Sequence, residues 1–199
     1  MTDVFGAVVP GRPTGVLADA WGRSAVRDVV LTVGAAGLVG LAAQIAIPVY
    51  GSPVPITGQT FAVLLAGAVL GPARGATAML LYAAAGVLGV PWFAGGTSGW
   101  PVATAGYLVG FIVAAAIVGQ FAALGADRRP WYTIGLMVFA NVLIYLFGVP
   151  WLALATTMDL PTAVMKGLVP YLMGDFLKIA LATGLLPGAW LFLNRRHKA

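Results

Sequence analysis

The sequence predicts an all-α membrane protein with six transmembrane helices. Of its 199 residues, 60% are hydrophobic and only 9% are charged, and the mean hydropathy is +0.95. Residues 29–73, 75–126 and 130–158 contain no charged residue, and each stretch is far longer than the core of a soluble domain requires. At 20.4 kDa the chain has room for one helical bundle. We therefore expect the lipid bilayer to surround it.

Proline, glycine and charged residues mark the ends of six apolar segments, each predicted to be one helix. The first follows Asp28 and stops before Pro48, and the last follows Gly167 and stops before Arg195. The segments cover residues 29–47, 56–70, 75–90, 104–124, 131–149 and 168–193. The second and third are short for a full span at about 1.5 Å of rise per residue. Short spans flanked by Gly and Pro often border a cavity near the middle of the membrane.

The basic residues predict the orientation of the bundle. With the amino terminus in the cytoplasm, the outer connections contain a single basic residue, Lys166. The inner side contains Arg12, Arg23, Arg27, Arg74, Arg128, Arg129, Arg195, Arg196 and Lys198. This asymmetry places both termini in the cytoplasm. Residues 1–28 are then a cytoplasmic tail with an interfacial segment, residues 29–193 the substrate-binding bundle, and residues 194–199 a basic tail.

An acid and a base three positions apart, Asp175 and Lys178, interrupt the last apolar segment. An ionised group at mid-membrane costs about 2.5 to 3.5 kcal/mol on insertion scales, so such residues usually face a cavity on a substrate path. Because the sixth helix enters from outside, the pair lies two to three turns below the outer surface. It predicts a polar binding site that opens outward. A structural ion pair is the alternative.

Two outer loops have the composition of a lid. Residues 48–61 combine three prolines with hydroxyl and amide groups, and proline lowers the entropy that a loop loses on ordering. Residues 91–101 place Trp92, Phe93 and Trp100 beside a glycine-rich run, which suits an apolar roof over a ring-shaped ligand. An interfacial aromatic belt explains any single Trp as well. The clustering favours a ligand role for Trp92 and Phe93.

The residue inventory argues against an enzyme. Residues 96–99 match the GxSG pattern around the serine of rhomboid proteases, but such a serine needs a histidine base on a helix. The only histidine, His197, lies in the cytoplasmic tail, on the opposite side from Ser98. Lys178 is a poor base because Asp175 favours its charged form. We expect no catalytic residues, and no cofactor or metal site is indicated.

Energy coupling within this chain is not supported either. The sequence contains no GxxxxGK[ST] motif, no Glu, and only Asp159 and Asp175 as carboxylates away from the cytoplasmic side. Both a P-loop and a chain of carboxylates for a proton relay are therefore missing. Uphill transport would need a partner that hydrolyses nucleotide. The basic residues are explained by topology, so we do not expect nucleic acid as a partner.

Four strings of residues resemble the biotin transporter BioY family. They are residues 47–72, which include PVPITGQTFAVLLAG, and residues 86–96, 104–111 and 174–178, with GDFLK. The likeness runs in order from about Ala42 to Ala182. It implies an S component of an energy-coupling factor (ECF) transporter, with six helices and biotin bound near the outer face. In this family the Asp and Lys of the GDxxK pattern contact biotin, which implies that role for Asp175 and Lys178.

The chemistry of the pair agrees with that ligand. A ureido ring offers two N–H donors and one carbonyl acceptor, which a carboxylate beside an ammonium complements. Lys178 alternatively holds the valerate carboxylate. We favour the ureido role because Asp175 and Lys178 share one helix face.

Other site residues are predicted with less support from the family pattern. The usual GPTGGY before the fourth helix is VATAGY here, so that Thr104 and Tyr107 match while the Gly-Pro turn does not. A side-chain amide often present in the binding loop has no clear counterpart, and Gln59 or Asn141 is the candidate substitute. Tyr82 is a further candidate donor to the ligand, although a packed tyrosine with a satisfied hydroxyl explains it as well.

The first segment is rich in small residues spaced four apart, including Ala36 with Gly40 and Ala42 with Ala46. This spacing lets two helices approach closely in lipid. In the BioY family the first helix carries such a motif for docking onto the transmembrane coupling subunit, which implies that role for these four residues. Packing within the bundle explains the pattern equally well.

The sequence therefore predicts a non-enzymatic biotin-capture subunit, spanning the cell membrane of a prokaryote several times. It would bind biotin from outside and deliver it inward with a transmembrane coupling subunit and ABC-type ATPase subunits. An S component for another vitamin and a biotin transporter that works alone are the alternatives. An intramembrane enzyme would instead depend on Ser98.

Overall fold

The computed structural model describes residues 15–22 and 24–196, and within these ranges the chain is mainly helical. The α-helices are α1 (Ala25–Gln44), α2 (Gln59–Leu70), α3 (Pro72–Val87), α4 (Ala105–Ala123), α5 (Pro130–Thr156), α6 (Leu160–Gly167) and α7 (Leu172–Arg196). Two strands of two residues, β1 (Ala46–Ile47) and β2 (Ile56–Thr57), pair antiparallel. Short 3-10 turns lie at Leu17–Trp21, Ala94–Gly96 and Val169–Tyr171. The predicted residues Arg12, Arg23, His197 and Lys198 lie outside the described residues.

The six predicted segments correspond to α1 to α5 and α7, so the predicted all-α membrane fold is confirmed. Helices α1, α4 and α5 and the stretch Leu160–Arg195 are long and apolar enough to cross a bilayer. Helix α2 has 12 residues and α3 has 16, which makes them the short pair that the sequence predicted. The eight-residue α6 was not predicted, although Asp159 before it and Pro161 in its first turn are typical of a helix start.

Several predicted helix ends differ from the structure by three residues or more, and two of these differences have a clear local cause. Helix α1 begins at Ala25 rather than residue 29, because the Ser24 hydroxyl accepts a hydrogen bond from the Arg27 amide at 3.2 Å and caps the helix. Helix α5 continues through Pro150 to Thr156, whereas the prediction stopped it at residue 149. Membrane-spanning helices tolerate proline because neighbouring groups and local adjustments satisfy the freed backbone groups.

Helix α4 lies at the centre of the bundle and packs against α2, α3 and α5. Glycines make this close packing feasible. A Cβ placed on Gly67 would lie 2.6 Å from the Ala115 carbonyl oxygen, and one on Gly119 would lie 2.4 Å from the Gly71 carbonyl carbon. Small residues at such crossings let backbones touch and gain dispersion contacts, which drive helix association in lipid.

An ion-paired cluster fastens the segment before α1 to one end of the bundle. Arg74, in the first turn of α3, donates to Asp19 and to Asp28 at 2.7 Å each. Arg128, between α4 and α5, donates to the Gly15 carbonyl oxygen at 3.2 Å. This end of the bundle is the one that the arginine distribution assigns to the cytoplasm.

The connections at the opposite end form a compact cover. The Gly58 amide donates to the Ala42 carbonyl oxygen at 3.1 Å, which holds the β1–β2 hairpin against α1. The Ser52 hydroxyl donates to the Lys166 carbonyl oxygen at 2.9 Å, and the Tyr171 hydroxyl donates to the Val54 carbonyl oxygen at 2.5 Å. The loop before α2 is thus tied to the end of α6 and to the α6–α7 connection, over the cavity described next.

Candidate substrate-binding site

A cavity of about 70 Å³ lies beneath this cover, among α2, α4, α5 and α7. Its wall includes six predicted site residues: Gln59, Phe93, Thr104, Tyr107, Asp175 and Lys178. Four further polar residues line it that were not predicted as site residues: Thr57, Thr60, Tyr145 and Tyr171. The rest of the wall is apolar and consists of Val54, Pro55, Ala94, Leu108, Phe111 and Ile144. The structure therefore brings together residues that are 121 positions apart in the chain, from Val54 to Asp175.

Asp175 and Lys178 are the charged residues of the cavity wall. Their side chains form an ion pair of 3.2 Å between Nζ and Oδ1, and Asp175 is only 4% exposed. Lys178 also donates to the Thr60 hydroxyl oxygen at 2.7 Å. The ammonium thus reaches across to α2, while the carboxylate stays on α7. Each charge stabilises the other in surroundings where either one alone would be costly.

Tyr145 completes the coordination of the carboxylate from α5. Its hydroxyl donates to Oδ2 of Asp175, and its ring meets the Tyr107 ring edge to face, with centroids 6.5 Å apart. The sequence carried a signal for this residue, since a tyrosine in the middle of an uncharged apolar span needs a partner for its hydroxyl. Asp175 therefore has one acceptor oxygen oriented by Tyr145 and the other by Lys178.

Tyr107, at the start of α4, anchors the cover of the cavity. Its hydroxyl donates to the Gly167 carbonyl oxygen at 2.8 Å. The ring leaves no room at Gly148, where an added Cβ would lie 2.3 Å from the tyrosine Cδ1. Thr104 lies at the N-terminal end of the same helix and also lines the cavity.

Tyr82 and Trp92 lie behind the cavity wall instead of on it. Tyr82 is fully buried, and its hydroxyl accepts a hydrogen bond from Gln59 Nε2 at 2.7 Å. The Trp92 indole donates to the Tyr82 carbonyl oxygen at 3.0 Å, and the two rings lie 5.3 Å apart. Thr57 donates to Gln59 Oε1 at 2.9 Å. Tyr82, itself held by Trp92, therefore fixes the position of the Gln59 amide. Gln59 and Phe93 line the cavity, whereas Tyr82 and Trp92 do not.

Asn141 also lies outside the cavity, buried among α2, α5 and α7. Its Nδ2 donates to the Met137 carbonyl oxygen one turn earlier, at 3.0 Å. The side chain is 7% exposed, and the described residues offer no hydrogen-bond partner to Oδ1. Of the two amides predicted as candidates, the structure therefore places Gln59 at the cavity and Asn141 behind it.

The small residues predicted for partner docking mainly pack against other parts of this chain. Ala36 is fully buried, and a Cβ on Gly40 would lie 3.0 Å from the Trp92 ring. Ala42 and Ala46 are half-buried, beside the β1–β2 hairpin. The Ala36–Gly40 pair is thus used in packing within the bundle, the alternative that the sequence left open.

The chain is similar to known proteins over most of its length. The model of the BioY family matches residues 15–195. A probable biotin transporter BioY of Pyrococcus horikoshii is 36% identical over 161 residues, which cover 78% of this chain and 91% of the relative. A biotin transporter BioY of Rhizobium etli is 33% identical over 167 residues, covering 78% of this chain and 89% of the relative.

A solved structure has the same fold. It is described as the S-component for biotin from an ECF-type ABC transporter, and it superposes with a TM-score of 0.73 at 21% identity. The alignment covers 89% of this chain and 96% of that one. At this identity the match supports the architecture, while the family model and the curated relatives support the kinship. This chain is a member of the BioY family.

Proposed function

We propose that this chain is the substrate-capture subunit, or S component, of an ECF-type biotin uptake transporter. The observation that carries the proposal is the Asp175–Lys178 pair, which is nearly buried and lines a cavity under a hydrogen-bonded cover. The named relatives are biotin transporters, and none of the cavity chemistry requires a bond-breaking step. A binding protein is therefore the function that this site supports best.

Biotin matches the groups in the wall. The ureido N–H groups are donors for the Asp175 carboxylate, and the ureido carbonyl is an acceptor for the Lys178 ammonium or the Thr60 hydroxyl. The sulfur-containing ring is apolar and suits Phe93 and Phe111 in the cavity wall. We favour this orientation over a contact between Lys178 and the valerate carboxylate.

Binding requires movement in the wall or the cover. The cavity holds about 70 Å³, whereas pockets for drug-sized ligands hold about 300 to 1,000 Å³. The cover is tied down by few hydrogen bonds, such as those of Ser52 and Tyr171, so its opening is the less costly route. The predicted orientation, with both termini in the cytoplasm of a prokaryote, makes this opening face outward.

The partners that we propose are a transmembrane coupling subunit and ABC-type ATPase subunits. This chain has no nucleotide-binding motif of its own. On α1, Gly34 and Gly37 have open space where a Cβ would point, so a coupling subunit is better served by these glycines than by the buried Ala36 and Gly40. Replacing Gly34 and Gly37 together with leucine should then abolish co-purification with the coupling subunit. Full co-purification would argue for another docking face or for a transporter that works alone.

Equilibrium binding of labelled biotin to the purified chain tests the function. Asp175→Asn and Lys178→Met each remove one charged partner of the ureido group, and a hydrogen bond to a charged group is worth about 1.5 to 3 kcal/mol, so we expect affinity to fall by about ten- to a hundredfold. Thr133 is a fully buried polar residue that does not line the cavity. Thr133→Val is therefore the matched control and should retain wild-type affinity. Thermal unfolding of each variant separates lost binding from lost folding.

Two results would contradict the proposal. Unchanged biotin affinity in both site variants would show that this cavity is not the biotin-binding site. Displacement of labelled biotin by another vitamin, at lower concentration than by biotin itself, would assign the chain to a different substrate.

A further inference from the structure

Lys166 is a basic residue at the edge of the cover, in the last turn of α6. Its backbone carbonyl oxygen accepts the hydrogen bond from the Ser52 hydroxyl at 2.9 Å, and Ser52 Oγ lies 3.2 Å from the hydroxyl of Tyr171, which lines the cavity. The next residue, Gly167, accepts the hydrogen bond from Tyr107, which also lines the cavity. Two hydrogen bonds thus connect Lys166 to the cavity wall.

The charge of Lys166 is not used by any ion pair among the described residues. The residue is half-buried, and its ammonium is a compact charge on a flexible four-carbon stem. The acid nearest to it in the sequence, Asp159, precedes the eight-residue α6, so that about 10 Å of helix separate the two residues. This ammonium is therefore available to an anion that reaches the cover.

The cavity itself offers no net positive charge to an anion. Asp175 and Lys178 are the charged residues of its described wall, and they form an ion pair of opposite charges. In the orientation that we favour, this pair holds the ureido group. The carboxylate of biotin, at the other end of the molecule, then has no countercharge within the cavity.

The cover is the part of the site toward which that carboxylate points. Tyr171 lies directly under the cover and donates to the Val54 carbonyl oxygen, whereas Asp175 lies about one helical turn deeper along α7. Because the valerate chain extends away from the ureido ring, it leaves Asp175 in the direction of Tyr171 and the cover. Lys166 is the basic residue there.

We propose that Lys166 is a specificity-determining residue, whose ammonium attracts the carboxylate of biotin and holds it at the mouth of the cavity. A charge at the rim of a site steers its ligand and makes binding depend on salt. The preferred substrates are then ureido rings with an anionic tail, and uncharged derivatives bind more weakly. The inference rests on the proposed function and on the favoured orientation of biotin.

Competition against labelled biotin, with the purified chain in a non-ionic detergent, tests the inference. Biotin and biotin methyl ester share the ring and the chain, but only biotin has a negative charge. We expect Lys166→Gln to lower the preference for biotin over the ester by about two- to fivefold, the effect of one solvent-accessible ion pair. Lys166→Glu should lower it by about four- to twenty-five-fold, because the change in charge is twice as large.

Two controls separate this effect from others. Lys166→Gln leaves the backbone carbonyl that Ser52 uses, so the cover keeps its hydrogen bond. Arg129→Gln removes the same charge from an exposed position at the opposite end of the bundle and should leave the preference unchanged. Salt at about 1 M, where the Debye length is about 3 Å, should lower the preference in the wild type but not in Lys166→Gln.

The outcomes distinguish the inference from the proposed function. If biotin binds and its preference over the ester is the same in the wild type and Lys166→Gln, the inference is overturned and the proposed function stands. An equal loss of preference in Arg129→Gln would also overturn it, since net charge would then explain the effect. If biotin does not bind the wild type, the proposed function fails and this inference fails with it.

Discussion

The connection between α4 and α5 contains a buried acid whose ionisation should control the stability of the fold. Asp127 is fully buried. Oδ2 accepts a hydrogen bond from the Trp190 indole at 2.7 Å, but the described residues provide no partner for Oδ1. Burial raises the pKa of Asp127 from 3.8 to about 6, although the Trp190 hydrogen bond and the nearby Arg128 guanidinium oppose that rise. The folded protein therefore binds the proton more tightly than the unfolded chain.

The sign of the pH dependence follows from that difference. Well below pH 3.8 the carboxyl is protonated in both states, so its ionisation has no effect on stability. Between pH 4 and about 6 the unfolded chain loses its proton first, and stability falls as pH rises. Above that range the destabilisation is complete, at about 3 kcal/mol for a shift of about two pKa units. For a chain of this length that corresponds to a thermal midpoint lowered by about 6 to 12 °C.

Asp127→Asn removes the ionisation and keeps an oxygen for the Trp190 indole. We expect the variant to melt well above the wild type at pH 7.5 and at nearly the same temperature at about pH 3, below both pKa values. Thermal unfolding of both proteins in one detergent across this range measures the difference, and titrations elsewhere cancel. A difference in melting temperature between the two proteins that is the same at every pH would refute the reasoning. So would a variant that is less stable at pH 7.5.

Three further predictions concern the site and the bundle. Tyr145→Phe removes a hydrogen bond to the Asp175 carboxylate that is worth about 1 to 2 kcal/mol. Equilibrium binding should therefore show a five- to thirtyfold loss of biotin affinity. Unchanged affinity would mean that Tyr145 does not orient the carboxylate. Gly67→Ala forces a Cβ against the Ala115 backbone and should lower the free energy of unfolding by about 1 to 3 kcal/mol. Gly34→Ala is the control, because nothing lies within 4 Å of the added Cβ, and its thermal unfolding should match the wild type. Equal effects of the two substitutions would contradict the packing argument. Arg74→Met removes the ion pairs to Asp19 and Asp28, and hydrogen exchange should then rise at residues 15–21 but not in α4. Equal exchange in the variant and the wild type would show that these ion pairs do not hold the segment.

The helices were predictable because membrane physics leaves few options. Apolar segments in hydrocarbon must satisfy their backbone groups internally, so each of them becomes a helix. The segment ends were harder to predict. Pro150 ends a helix in water by the usual rule, but α5 continues through it. Ser24 extended α1 by four residues through a single cap that hydropathy does not register.

Charge made only part of the candidate site predictable from the residues themselves, since Phe93 was predicted from the aromatic cluster in its loop and Thr104 and Tyr107 from the family pattern. Asp175 and Lys178 stand out in the sequence because each is costly in lipid without a partner. Thr60 does not stand out in the same way, and Tyr145 indicates only that its hydroxyl needs a partner. Which helix supplies that partner depends on the packing of the bundle. Tyr82 and Trp92 illustrate the converse. Their chemistry suits a ligand, but the fold uses it to hold Gln59.

The two ends of the bundle are held together by different forces, and this difference bears on function. At the end with Arg74 the contacts are ion pairs of 2.7 Å between side chains of separate elements. At the end with the cavity, the cover is held by neutral hydrogen bonds from Ser52, Tyr107 and Tyr171 to backbone carbonyls. The bonds of Tyr107 and Tyr171 are buried and that of Ser52 is partly buried, but each is a single neutral hydrogen bond with a net contribution of about 1 kcal/mol. The cover can therefore open one bond at a time while the bundle beneath it, and the ion-paired end, stay assembled.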